Sequence, residues 1–113
     1  MLSLLLLLGS IAGCDDQEDL DDVCQAFTEL AAQAGLDDMS EGERMRFVHE
    51  RVSDQLWRFS QTMVIWGNLP ASEVTARYRM FKFSAEELLG HTWDCPAMER
   101  LAPTLGYVLP EPH

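Results

Sequence analysis

The groups in this 113-residue chain that could do chemistry are three cysteines, three histidines and a scatter of serines and acids. His91, Cys95 and Met98 place nitrogen and sulfur donors within eight residues, the donor types that hold copper or haem iron. The chain has no Cys-x-x-Cys-His for covalent haem, and this spacing matches no closed metal site. Cys24 and Cys95 stand 71 positions apart, whereas a redox dithiol usually brings its cysteines together as Cys-x-x-Cys at a helix start. Ser60, His49 and Asp54 supply the residue types of a hydrolytic triad, as almost any chain of this length would. There is no nucleophile elbow, no glycine-rich phosphate loop and no His-Glu-x-x-His. The expectation is a chain with no catalytic residue, no metal and no cofactor. A small redox-active or metal- or haem-binding helical protein using Cys24, Cys95, His91 or Met98 is the alternative.

The third cysteine stands in a different setting. Leu2 to Gly13 is uncharged, but it is too short for a membrane-spanning helix, which needs about 20 apolar residues. A buried core helix of that length is possible, yet Gly9, Ser10 and Gly13 break its end. An export signal fits better: Leu4 to Leu8 form an apolar run, and Gly9, Ser10, Ala12 and Gly13 are the small residues before a cleavage site. Ile11-Ala12-Gly13-Cys14 resembles the lipobox of bacterial lipoproteins, an aliphatic residue and two small ones before cysteine. The resemblance implies cleavage between Gly13 and Cys14, diacylglycerol on the Cys14 thiol and acylation of the new amine. Cys14 would then be the first residue of a protein anchored in the cell envelope and facing the periplasm. Asp15 directly after that cysteine implies retention in the inner membrane. The start departs from the pattern, because Met1-Leu2-Ser3 lacks the Lys or Arg that normally opens such a signal, and an ordinary cleaved signal peptide is the other reading. Each buried acyl CH₂ contributes about 0.8 kcal/mol and two chains make a stable anchor, which a diacylglyceryl cysteine supplies.

Residues 1–13 carry no ionisable side chain, so the remaining 113 − 13 = 100 residues keep the full net charge of −11. That length suits one domain with a modest core. The acidic balance excludes nucleic acid as a partner and opposes electrostatic adhesion to anionic headgroups. The partners expected are the membrane, through the lipid, and another protein. Asp15, Asp16, Glu18, Asp19, Asp21 and Asp22 read as a solvated acidic stretch, with residues 14–19 as a lipidated tether. The run lacks the glycine and ligand spacing of a calcium loop. With Cys14 assigned to lipid, Cys24 and Cys95 remain, and an even remainder in an exported protein suggests a disulfide. Two buried free thiols are the competing state.

Helical periodicity organises residues 20–103 as the domain. Leu20, Val23, Phe27, Leu30 and Ala34 share one face with Cys24, and Gly35 reads as the stop. Ser40 and Glu43 form a capping box. Beyond it Met45, Val52, Phe59 and Trp66 recur every seven residues, with Val48, Leu56 and Met63 between them. This predicts one long helix over about 41–67. Arg44, Arg51 and Arg58 repeat in the same period beside the stripe, either pairing with Asp21, Asp22 or Glu29 or forming a docking row for a partner. Trp57 lies off the stripe and would be an anchor for a partner if exposed. Ser72 is placed to cap a third helix bearing Val74, Tyr78, Phe81, Ala85 and Leu88, ended by Gly90, with Met80 and Phe83 as surplus apolar surface. Asp94 or Cys95 would cap a short helix opened by Pro96, and 104–113 reads as an extended tail. The predicted fold is all-α: three main helices, one short C-terminal helix and the tail. Arg77-Tyr78, the segment Trp93 to Met98 and Leu101 are similar to a recurring segment in small uncharacterised exported bacterial proteins, a resemblance that implies no activity.

Overall fold

The computed structural model describes the chain from Leu2 to Glu111, with side chains from Asp15 onward. Gly13 and Cys14, the expected cleavage and lipidation positions, lie outside the described side chains. The described residues form five α-helices and no strand: α1 Leu2–Ala31, α2 Glu41–Gln55, α3 Gln61–Asn68, α4 Arg77–Leu89 and α5 Pro96–Leu101. Single 3₁₀ turns occupy Leu36–Asp38, Leu69–Ala71, Val74–Ala76 and Ala102–Thr104. The fold class is as expected, and the number of main helices is not.

In α1, Leu20, Val23, Ala26, Phe27 and Leu30 are buried, as their spacing requires of one helix face. The acids from Asp15 to Asp19 belong to this same helix. Burial and then neighbouring carboxylates push Asp19 and Asp22 above the usual carboxylate range. Gln17 offsets part of the crowding by donating to Asp21 one turn on. The helix stops at Ala31, earlier than Gly35, and Ala34 is exposed. The N–H of Gln33 bonds back three residues to Leu30, and that of Leu36 to Gln33, which tightens the chain into the turn before α2.

The capping box opens α2 with both halves present: the Glu43 N–H donates to Ser40 Oγ at 3.1 Å, and the Ser40 N–H to Glu43 Oε1 at 3.0 Å. The helix then runs back antiparallel along α1. Arg44 Nη2 donates to the Leu36 carbonyl just past the end of α1, and Arg51 Nε meets Glu29 Oε2 at 2.7 Å.

The predicted 41–67 helix is broken. Leu56 adopts an extended conformation (φ −102°, ψ 143°). The Ser60 N–H closes a turn onto the Trp57 carbonyl, and Ser60 Oγ accepts from the Met63 N–H to start α3. Leu56 still reaches the core, but the two-helix path aims Phe59 outward and lets Trp66 swing in against Phe27, their rings edge to face at 6.0 Å. Met45, Val52 and Trp66 are all buried, supplied by two helices instead of one.

Ser72 closes the Leu69–Ala71 turn and does not cap a helix, so α4 begins later, at Arg77. Gly90 ends it in the left-handed conformation (φ 77°) that a side chain disfavours. Phe81 and Ala85 face the core, while Met80 and Phe83 are exposed. Pro96 starts α5, with Cys95 at the cap position. The Cys24 and Cys95 sulfurs lie 2.13 Å apart, at disulfide distance, so the start of α5 sits against α1 at Cys24. Leu105 is buried in the tail, and the Gly106 N–H donates to the Glu41 carbonyl at 2.9 Å. Tyr107 and Val108 are exposed, not laid into the bundle.

Candidate interaction surfaces

The donors grouped by sequence do not converge in space. His91 is exposed with Nδ1 against the Thr92 carbonyl, Cys95 is at the Cys24 sulfur, and Met98 is buried in the core. Among the described residues no three His, Cys, Asp or Glu side chains are placed to share an ion. Ser60, His49 and Asp54 are likewise separate: Ser60 caps α3, and His49 Nδ1 lies 3.0 Å from the indole nitrogen of Trp66.

The arginine row divides with the helix. Arg44 is spent on the Leu36 carbonyl. Arg51 pairs with Glu29, one of the acids its register allows, and its guanidinium stacks 3.4 Å over the Phe47 ring. Arg58 lies beyond the break, in the α2–α3 turn, 5.0 Å over the Phe59 ring. The three therefore do not form one docking row.

Two side chains hold the structure in ways the periodicity does not show. Arg77 is buried at the start of α4 and donates through Nη1 to the carbonyls of Ala102 and Leu105, and through Nη2 to that of Gly106. It acts as a clamp on the C-terminal segment, satisfying carbonyls that no helix follows. Burial lowers its pKa, while Tyr107 and Glu41 pull the other way. Lys82 donates to Asp94, to Glu86 and to the Trp93 carbonyl, and bonds to the two carboxylates push its pKa up. Glu86 also accepts the Trp93 N–H, and Tyr78 Oη accepts that of Cys95. Together these bonds seat the 91–95 loop on α4. The only sequence signals were a charged residue at the head of an apolar stripe and a Lys82–Glu86 pair one turn apart.

Among the described residues, apolar side chains are exposed together on two surfaces. The first lies along α3 and α4, where Val64, Met80 and Phe83 are exposed. Between the helices runs a groove of about 470 Å³ lined by Gln61, Val64, Ile65, Ser84, Glu87 and Leu88. It adjoins a second hollow of about 220 Å³ that shares Ile65 and Ser84 and reaches Leu69 and Met80. Glu87 is the single charged residue lining the first groove, so an apolar partner face would meet little desolvation cost there. The second surface is the α2–α3 turn. Trp57 and Phe59 are 69% and 64% exposed, with rings 5.3 Å apart and edge to face.

Comparison with known proteins finds no matching family model, no matching curated protein and no matching solved structure.

Proposed function

We propose that this chain is a lipid-anchored envelope protein facing the periplasm, whose small helical domain binds another protein without catalysing a reaction. Ile11-Ala12-Gly13-Cys14 after the Leu4–Leu8 run supports the anchor, and Asp15 favours the inner membrane. The observation that carries the binding role is the α3–α4 face: Val64 lines its groove, and Val64, Met80 and Phe83 stay exposed on helices whose opposite faces are buried. A contiguous exposed apolar face is the kind of surface that a partner covers. An anchored domain that offers such a face supports an envelope complex by holding a partner near the membrane, where tethering raises the local concentration.

The test is capture from the native envelope through a C-terminal tag, together with fatty-acid labelling. Wild type should carry label and recover a partner in fixed ratio. Cys14→Ser should lose the label, and Phe83→Glu should keep the label and lose the partner. Equal labelling of wild type and Cys14→Ser would remove the anchor. Recovery of the same partner by Phe83→Glu would remove the α3–α4 face from the interaction.

A further inference from the structure

We infer that the α2–α3 turn rests on the lipid bilayer, with Trp57 and Phe59 entering the headgroup layer beside the anchor. This rests on the lipid-anchor reading above. The antiparallel register of α1 and α2 fixes where the turn lies. Arg44 meets Leu36, and seven residues later Arg51 meets Glu29. Continued at that pace, the end of α2 comes down to about the level of Cys24, toward the N-terminal end of α1. Leu20 is the first core residue of the described part of α1. The turn therefore lies toward the Cys14 side of the bundle, one helical turn above Leu20, where the Trp93 indole of the 91–95 loop reaches Asp21. Cys14 to Cys24 is ten residues, about 15 Å of helix, so an acyl anchor on Cys14 keeps the turn within about 15 Å of the lipid surface, a gap that a tilt of the bundle closes.

The residues of the turn are suited to it. Trp and Phe favour the boundary between headgroups and acyl chains, and Arg reaches for phosphate while its stem lies on apolar surface. Trp57, Arg58 and Phe59 occur consecutively, all exposed, with Arg58 over the Phe59 ring. The ring contacts of Trp57 and Phe59 are with each other and with Arg58, all within the turn itself. The adjacent acids of α1 oppose an anionic surface, so charge does not supply this contact. Apolar insertion does, made intramolecular by the anchor. Docking of this kind would fix the tilt of the bundle and hold the α3–α4 groove at a set height above the membrane.

Indole fluorescence in brominated vesicles tests the inference, because bromine on lipid chains quenches indole only at contact. Trp66 and Trp93 are buried, so the loss reads Trp57. The full, lipidated chain is reconstituted into phosphatidylcholine vesicles with and without bromine. Emission should fall in the brominated vesicles, and Trp57→Phe should abolish that fall. Chain that floats with the vesicles but emits equally in both overturns the docking and leaves the anchor intact. A fall that persists in Trp57→Phe overturns it as well. Chain that fails to float removes the anchor reading, and the inference with it.

Discussion

The bond between His49 and Trp66 gives the fold a pH dependence. An indole N–H can only donate, so the bond from Trp66 requires an unprotonated Nδ1 on His49, with the proton on Nε2 facing Ser53 Oγ at 3.4 Å. Burial pushes the pKa of His49 below its ordinary value, against an upward pull from Glu50. Of the groups packed on it from other elements, Trp66 of α3 is uncharged, as is Phe27 of α1 behind the indole. Because the native pKa is the lower one, the unfolded chain takes up the proton first as pH falls. The stabilisation is whole above the unfolded value of about 6.5 and is lost as pH drops through the native one. Urea midpoints measured from pH 7.5 to 5 should fall in wild type and fall less in His49→Gln. Equal slopes would show that the imidazole is not the group titrating. In the sequence His49 was visible only as a possible member of a triad, since its partner lies 17 positions away on a different helix.

The break between α2 and α3 decides which apolar residues matter among those that repeat every seven. A strict period places Phe59 and Trp66 on one seam, and the structure separates them. Trp66→Ala should cost about 3–5 kcal/mol by opening a cavity against Phe27. Phe59→Ala should change stability by no more than about 0.5 kcal/mol, as expected for an exposed site. Chemical denaturation of the two variants checks this, and a loss of several kcal/mol in Phe59→Ala would mean that the helix is continuous. The period could not reveal the break because a helix and a helix–turn–helix can bury the same set of positions. The sign in the sequence was Ser60, a cap residue inside the predicted helix. It wins here because its Oγ satisfies the Met63 N–H that the broken helix would leave free. The same applies at the start of α4, where Ser72 looked like the cap and closes a 3₁₀ turn instead.

Over the whole molecule, the staple between Cys24 and Cys95 joins the first long helix to the last short one. A small core gains much from such a tie, and closing a loop of 71 residues contributes about 4 kcal/mol in the chain-entropy model. The native chain should be two hydrogens lighter than its reduced form. Reduction should lower the thermal midpoint by about 4–8 °C per kcal/mol lost and leave helical content at low temperature unchanged. Ready reaction of both thiols with a maleimide in the native, air-oxidised protein would show that the bridge does not form.

Local chemistry was legible in the sequence. The helical class follows from apolar spacing, the start of α2 from Ser40 and Glu43, the end of α4 from Gly90, and the start of α5 from Pro96. The surplus of Met80 and Phe83 was legible too, because a helix face can be counted along the chain. The caps act on backbone atoms within a turn of the residue that carries them, and the spacing acts along a single helix. What only the tertiary structure decided acts between distant segments: Arg77 on three carbonyls of the tail, Lys82 on the 91–95 loop, His49 on Trp66, and the antiparallel register that brings the end of α2 to about the level of Cys24 in α1. A charged or aromatic side chain offers the same groups wherever it stands. Which carbonyl, ring or surface comes within its reach depends on how five helices pack, and no spacing along one helix encodes that.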